Sequence, residues 1–450
     1  MPSRSNTPQQ QTRIFEDYRK AVAFVESFSN TSLRNNFGPE KRDPSFYLDR
    51  PRWFCKLIGN PEAAFKCVHI TGTAGKGSVS TMTHEILLAA GKKAGLFTSP
   101  YVTTTIEKFR VGNAYISPKE FVETVEYLKP FIEQAKSGPY GAPSAFDIFV
   151  AIAFIFFKNH GCEWVVLEVG LGGRYDSTNV IERPAVTAIT NIDYDHTEIL
   201  GKTLGLIAYD KAGIIKNGSA FFTTEQRPAL LSLFRKICKE QGATFNHIPK
   251  QKSYADYNRL LASSIAKAAV SAYGGEITQA QIDAGLAHAK LPCRFEIIQE
   301  NPLIILDGAH NRAKIQSTVE NLKQLRRKTK TAGGFKRLIA IVAISDTKKD
   351  NRAILEPLAA VADVIYATSI EKGERRSVHP AALLPYIEKY KKSKATVEVV
   401  LDAHMALKKA RAAAAASDCI IATGSFFLAG ELRTEWYPEE WVLEHLKSFR

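Results

Sequence analysis

The sequence predicts an α/β protein of two domains: a large Rossmann-like domain on a mostly parallel sheet, then a smaller C-terminal α/β Rossmann-like domain. Three observations carry this. The chain has 450 residues, 45% hydrophobic and 24% charged, enough for more than one core at about 100–200 residues per domain. Short β-branched runs alternate with longer helical patterns, the signature of parallel βαβ units. The alternation pauses at two consecutive helices and then restarts, which sets expected domains of 1–298 and 299–450.

Each element follows from its pattern. Phe65–Thr71 reads as a short buried strand, Gly75–Ala90 as a helix and Lys93–Thr98 as a strand. Pro118–Lys136 is an amphipathic helix, with Pro early and Glu120 in its first turn. Ala145–Lys158 is apolar all round and belongs inside. Glu163–Val169 and Ala185–Thr190 have the β-branched character of central parallel strands. Asn258–Tyr273 and Thr278–Ala289 are the two consecutive helices. Beyond them, strands are expected at Arg294–Gln299, Leu303–Leu306, Leu338–Ala343, Val364–Thr368, Val397–Val400 and Cys419–Thr423, with a helix at Arg352–Ala362. The basic stretch Leu322–Lys336 reads as a surface loop after a helix.

Composition sets limits. Disorder, collagen and a disulfide scaffold do not fit it. Lys plus Arg is 60 and Asp plus Glu is 46, a formal charge of +14, which points to an anionic partner without naming one. The six cysteines form no C-x-x-C pair, so buried thiols in a reducing compartment are expected rather than zinc. Met1–Arg13 lacks the apolar core of a signal peptide. The most apolar run, Phe149–Phe157, is far short of the ~20 residues that span a bilayer. A cytoplasmic protein with no membrane partner is expected.

Thr71-Gly-Thr-Ala-Gly-Lys-Gly-Ser78 joins the first strong strand to a helix. Small residues let backbone amides close around phosphate, the helix N-terminus adds positive potential, and Lys76 adds a point charge. Ser78 is placed to bind Mg2+. The spacing is not the standard Walker pattern, and a ligand-free glycine-rich turn is the structural alternative.

Glu168 ends a predicted parallel strand, and the glycine-rich Gly170–Asn179 follows. That end of such a strand borders the usual ligand crevice, where a carboxylate can hold Mg2+. A salt-bridged acid is the alternative. His196, in Thr190-Asn-Ile-Asp-Tyr-Asp-His196, follows the next strand in the same way. Lys211 ends a predicted helix and opens Lys211-Ala-Gly-Ile-Ile-Lys216, which alone says little.

Together these segments resemble the Mur ligase superfamily, and within it the folylpolyglutamate synthase/dihydrofolate synthase family. The likeness runs in order through Asp49–Phe54, Ile58–Pro61, the phosphate loop, Gly95–Pro100, the Glu168 segment, Asp195–Thr203, Lys211–Lys216, Pro292–Glu296, Asp307-Gly-Ala-His-Asn311 and Thr423–Gly430. The resemblance implies a P-loop ATPase domain and a C-terminal glutamate-ligase domain. It implies an ATP-dependent acid–amino-acid ligase that passes through an acyl phosphate, adding L-glutamate to (poly)glutamyl folates, with dihydropteroate left open as a second acceptor, in a monomer whose domains close over a cleft.

The same resemblance assigns residues. Ala74, Gly75, Lys76, Gly77 and Ser78 bind ATP phosphates, joined by Asn258, Arg294 and Asp307 at the nucleotide. Ser78, Ser99, Glu168, His196 and Lys211 hold two Mg2+ ions, Lys211 as a carbamate. Lys76, Lys211, His196 and His310 are the catalytic set. Ser144, Phe146, Asp147, Tyr175, Asp176 and Ser177 face the pterin. This chain departs from the family pattern at Ala74 (usually Asn), Tyr101 (His), Ser144 (Thr), Asp147 (Glu) and Cys293 (Gly, here read as part of an interdomain linker).

Two other functions fit parts of the sequence. A Mur-type ligase acting on a peptidoglycan precursor shares the ATP chemistry; the loop after Glu168 and Phe97-Thr-Ser-Pro100 favour folate. A nucleic-acid-binding NTPase would draw on the net charge and on Leu325-Arg-Arg-Lys-Thr-Lys330. Such runs are usually solvated faces, and no nucleic-acid-binding motif accompanies this one, so no nucleic-acid partner is expected.

Overall fold

The computed structural model describes residues 8–29, 45–327, 334–345, 351–371 and 377–449. They divide into two compact units: Met1–Tyr101, Thr105–Lys290 and Leu443–Lys447 form the first, and Val102–Thr104, Leu291–Val442 and Ser448–Arg450 the second.

The first unit is built on eight strands: β1 (Lys66–Thr71), β2 (Ala94–Phe97), β3 (Phe109–Val111), β4 (Ala114–Tyr115), β5 (Trp164–Glu168), β6 (Val186–Ile189), β7 (Ala220–Thr223) and β8 (Thr244–His247). Their order is β4-β3-β2-β5-β1-β6-β7-β8. The β2–β3 and β3–β4 pairs are antiparallel and the rest parallel. The edge hairpin was not anticipated, since β3 and β4 have three and two residues, too few for alternation to register. In register, Ile70 of β1 faces Glu168 of β5, and Thr71 faces Ile189 of β6. The chain leaves β1 towards one side of the sheet and later crosses to the other, so β1 lies at the switch point, where sheets of this kind open a crevice at their carboxyl ends.

Packing follows from patterning. Val68, Ile70, Val166 and Val186 meet Val79, Ile86 and Leu87 of the helix Lys76–Ala89, Leu261 and Ile265 of Tyr254–Ser271, and Ile282 of Gln279–His288. The helix Ala145–Asn159 is buried from Ile148 to Phe157, as its uniform apolarity demands.

The second unit has six strands: β9 (Glu296–Glu300), β10 (Leu303–Leu306), β11 (Leu338–Val342), β12 (Val364–Ala367), β13 (Thr396–Val399) and β14 (Cys419–Thr423). Their order is β13-β12-β11-β14-β10-β9, with β9 antiparallel to β10. That pairing draws the segment after Lys290 into the second unit, ahead of the boundary expected near residue 298. Cys293 is therefore no linker residue: it is fully buried in this unit's core. Cys293 and Phe295 have φ of 53° and 51°, which excludes them from a strand and explains why β9 starts at Glu296. A positive φ at Cys293 is also why glycine suits that position.

The expected loop at Leu322–Lys336 is corrected. The helix Arg312–Arg327 runs through its first part, because Ile315, Val319 and Leu322 share one helical face and enter the core. The basic residues on the other face disguised that spacing. Arg326 pairs with Asp363 at 2.9 Å; residues 328–333 lie outside the described residues. All six cysteines are buried. Among the described residues no helix is long and apolar enough to cross a membrane.

A buried ion pair staples the second unit. Arg433 Nε donates to Glu296 Oε2 at 2.9 Å and its Nη2 to Oε1 at 3.0 Å, while Nη2 also donates to the Ser448 carbonyl. Removing one partner strands the other charge in a low-dielectric interior. Arg433→Met should cost about 3–5 kcal/mol, read as a lower urea midpoint for the second unit's transition.

Candidate active site

The phosphate loop leaves β1 between the ends of β5 and β6 and is fixed on both sides. From the β6 side, Asn191 accepts from Thr73 N at 2.9 Å through its carbonyl and from Ala74 N at 2.8 Å through Oδ1. Thr190 Oγ1 donates to the Ala74 carbonyl at 2.6 Å, and Thr73 Oγ1 exchanges hydrogen bonds with the Asp193 backbone. From the β5 side, Thr71 Oγ1 donates to the Gly172 carbonyl at 2.6 Å. Gly75, at φ 83°, turns the chain into the helix Lys76–Ala89 as its N-cap. A Cβ on Gly72 would lie 1.8 Å from Thr190 Oγ1, so the loop has room for hydrogen only.

Several of the expected residues are brought together here. Lys76 Nζ and Lys211 Nζ both donate to the Gly72 carbonyl, each at 3.1 Å. Asn258, on Tyr254–Ser271, puts Oδ1 2.8 Å from where a Gly75 Cβ would stand. Glu168, buried at the end of β5, accepts from Ser99 N at 3.1 Å, and its Oε2 lies 3.3 Å from the place of a Gly77 Cβ. Loop, carboxylate and Ser99 thus share one spot, with the missing side chain leaving space between them. Ser78 sits in the first turn of the helix. His196 is the left-handed N-cap of Thr197–Leu200, with Asp195 and Glu198 carboxylates 3.9 and 3.8 Å from its ring nitrogens.

Lys211 is the most perturbed of these groups. Burial pushes its pKa down to about 7, and the nearby Lys76 charge adds to this, against the opposing pull of Asp210, Asp195 and Asp176. Its amine is therefore substantially neutral near pH 7.

The glycine-rich loop after Glu168 owes its composition to close packing. A Cβ on Gly173 would lie 2.7 Å from the Lys211 carbonyl oxygen, and one on Gly170 2.4 Å from the Phe146 ring. Asp176 anchors the loop, accepting from Leu171 N at 2.9 Å and Thr178 N at 3.0 Å. His69 of β1 reaches Thr178 Oγ1 at 2.8 Å. Burial holds the His69 pKa at about 3, so it stays neutral.

The residues expected to face the pterin do gather, and most are engaged internally. Ser144 Oγ and Asp147 form the capping box of the helix Ala145–Asn159. Asp147 also accepts from Arg50 Nε at 2.7 Å and Ser177 Oγ at 2.6 Å. Phe146 lies against Gly170, and Tyr175 is exposed. Arg50 was given no role from sequence, although it lies in the resembling segment Asp49–Phe54.

In the second unit, Asp307 accepts from Phe295 N, Ala309 N and Thr318 Oγ1 at 2.8, 2.8 and 3.1 Å. Its burial raises its pKa against those hydrogen bonds. His310 Nδ1 faces the Gly308 carbonyl at 2.7 Å and Nε2 faces Lys314 Nζ at 3.1 Å, a partner the sequence reading missed. Arg294 stacks on Phe426 at 4.8 Å.

A phosphate loop at the switch point, beside a buried carboxylate, is the architecture of a nucleotide-binding α/β domain, and the class it belongs to is that of the Mur ligases. Matches to family models agree: Mur ligase middle domain over residues 70–259 and Mur ligase, glutamate ligase domain over 293–426. Dihydrofolate synthase/folylpolyglutamate synthase of Bacillus subtilis is 34% identical over 310 residues, covering 62% of this chain and 72% of the relative. Folylpolyglutamate synthase of Lacticaseibacillus casei is 28% identical over 388 residues, 79% and 86% of the two chains. Among solved structures, folylpolyglutamate synthase from Thermotoga maritima superposes with a TM-score of 0.76 at 26% identity, covering 95% of this chain and 99% of that one. A folylpolyglutamate synthase–AMPPCP complex gives 0.77 at 25%, covering 93% and 99%. The chain belongs to the folylpolyglutamate synthase/dihydrofolate synthase family of the Mur ligase superfamily.

Gly72→Ala should abolish nucleotide binding with little loss of secondary structure, because the loop must shift to clear Thr190. Calorimetric titration with an ATP analogue checks this, and affinity within about threefold of wild type (~0.6 kcal/mol) would contradict the assigned cradle.

Proposed function

We propose that this chain is an ATP-dependent ligase that joins L-glutamate to folates and to dihydropteroate through an acyl phosphate. The observation that carries the reading is the meeting of phosphate loop, Glu168, Lys76 and Lys211 at one end of β1. The AMPPCP complex of a relative supports ATP as the nucleotide. The Mur-type alternative keeps only the superfamily's shared chemistry.

Backbone amides of Gly75 to Gly77 would hold the β- and γ-phosphates at the positive end of the helix Lys76–Ala89, with the Ala74 amide held by Asn191 Oδ1 and Ala74 serving to shape the loop. Lys76, tethered to Gly72, would meet the charge that develops as the γ-phosphoryl passes to the substrate carboxylate. Glutamate's neutral amine then attacks the acyl carbon. The tetrahedral adduct expels phosphate, leaving the amide.

Mg2+ fits the donor set. Glu168 accepts from Ser99 N and its Oε2 borders the phosphate loop at Gly77, an oxygen donor of the kind Mg2+ takes while it keeps waters and shares phosphate oxygens. Ser78, Ser99, Glu168 and His196 would hold it, directly or through water; bound Mg2+ supplies charge neutralisation for the phosphates. The low pKa of Lys211 supports its place as the carbamate. A neutral amine attacks carbon dioxide, a proton leaves to solvent, and the cation becomes an anionic oxygen donor beside Lys76. The pterin would lie along Phe146 and Tyr175, with Ser144, Asp147, Asp176 and Ser177 shaping that wall.

ADP formation should require both L-glutamate and either a folate or dihydropteroate; formation indifferent to both would refute the reading. Lys76→Ala should lower kcat/KM by about 2–4 kcal/mol, the usual cost of one transition-state charge contact. Near-normal kcat/KM would remove Lys76 from the phosphate site.

A further inference from the structure

An ion pair that the proposed mechanism does not use stands at the carboxyl end of β7. Glu225 and Arg227 follow that strand and precede the helix Pro228–Gln241. Arg227 Nε donates to Glu225 Oε1 and Nη2 donates to Oε2, both at 2.7 Å, the paired geometry that fixes a guanidinium on a carboxylate. Glu225 is 4% exposed and also accepts from the Gln226 and Arg227 backbone amides at 3.0 and 2.9 Å. The pair reaches across to the segment that follows β6. Ile192 N donates to Glu225 Oε2 at 3.2 Å, and the Ile192 carbonyl accepts from Arg227 Nη2. Both backbone polar groups of a buried residue are thus taken by one ion pair.

The peptide units on either side of Ile192 connect this pair to the phosphate loop. Both units are trans, so each is planar with its N–H and C=O pointing opposite ways. In the Asn191–Ile192 unit, the N–H meets Glu225 and the carbonyl accepts from Thr73 N at 2.9 Å. In the Ile192–Asp193 unit, the carbonyl meets Arg227 and the N–H donates to Thr73 Oγ1 at 3.0 Å. Two rigid struts therefore run from the ion pair to the same residue of the phosphate loop. Each is held by a charged group at its outer edge, and such a bond polarises the peptide and strengthens the bond at its other edge. Asn191, whose carbonyl belongs to the first strut, also holds Ala74 N through Oδ1. Thr224, next to Glu225, donates through Oγ1 to the Thr190 carbonyl and closes the same seam.

We propose that Glu225 and Arg227 are positioning residues for the nucleotide: clamped on Ile192, they fix Thr73 and with it the backbone of the phosphate loop. The inference rests on the ligase reading and deepens it. Backbone amides hold phosphate tightly only when they are aimed before the ligand arrives, because ordering them on binding costs affinity. The clamp supplies that order from the β6 side. The glycine-rich loop on the β5 side is tied separately, to His69 and Thr71 of β1. Loosening the clamp therefore weakens the nucleotide and spares a ligand held along Phe146 and Tyr175.

Equilibrium binding to the full chain tests this, with AMPPCP plus Mg2+ and dihydropteroate as separate ligands. Arg227→Met should weaken AMPPCP about tenfold and leave dihydropteroate within about twofold. The variant keeps its fold, because the Arg227 side chain is 43% exposed and Glu225 retains the Ile192, Gln226 and Arg227 amides as donors. Glu225→Ala, which frees the other strut, should give the same split. A double-mutant cycle separates positioning from stability. Thr73→Val cuts the Arg227 strut at its inner end, so in that background Arg227→Met should cost less than about threefold in AMPPCP affinity. An undiminished loss there overturns the proposal, as does equal weakening of both ligands or of neither. Amide exchange gives a measurement that needs no ligand: Arg227→Met should quicken exchange across residues 72–75 and 191–193 and leave 170–179 unchanged. A uniform change, or none, overturns the proposal. A wild-type protein that binds AMPPCP but not dihydropteroate is a different failure, that of the folate-ligase reading, and the AMPPCP cycle still decides the clamp.

Discussion

One backbone carbonyl organises the first unit's chemistry. Gly72 O accepts from Lys76 and Lys211 at once, so two lysine amino groups from distant parts of the chain meet at one dipole. Neither lysine would be held there by its own element. Lys76 begins a helix, and Lys211 ends one. What brings the second to the first is the backbone of Gly72 and Gly173, each too closely approached to carry a side chain. Burial with a like charge then drives the Lys211 amine towards its neutral form. Sterics at two glycines thus become an electrostatic property of a lysine.

The same constraint explains the polar groups in the interior of β1. His69 and Thr71 sit on a fully buried central strand, where unpaired polar groups are costly. They are used as ties: Thr71 holds Gly172, and His69 holds the Thr178–Asp176 anchor of the loop. The glycine-rich loop is therefore anchored to the strand that leads into the phosphate loop. Its Asp176 and Ser177 are engaged internally, Asp176 within the loop and Ser177 on Asp147 of the helix Ala145–Asn159.

Much of this was legible in the sequence, for physical reasons. Central strands are buried on both faces and tend to read as apolar runs, as the Trp164–Leu167 stretch of β5 does. The helices at 118–136 and 145–159 declare themselves by a capping box and by uniform apolarity. Short edge strands did not register, and the helix Arg312–Arg327 was partly hidden because its charged face outweighed three core residues. The residue types of the candidate site could be read, but not their partners. That Asp147 is held by Arg50, that Lys314 faces His310, and that Gly72 joins two lysines are long-range facts, set by topology rather than local pattern. Cys293 shows the reverse: its positive φ, invisible in the sequence, explains why glycine suits that position, and nothing in the structure explains the departure to cysteine.

The central claim is that Lys211, before any carbamoylation, is a buried amine held at the phosphate loop with its pKa pressed down so far by burial that it is about half neutral near pH 7. An NMR titration of the protein with 13Cε-labelled lysine, Lys211 assigned by its loss in Lys211→Met, measures this directly. The account predicts a midpoint at about 7. A midpoint near the ordinary lysine value of about 10.4 would contradict it.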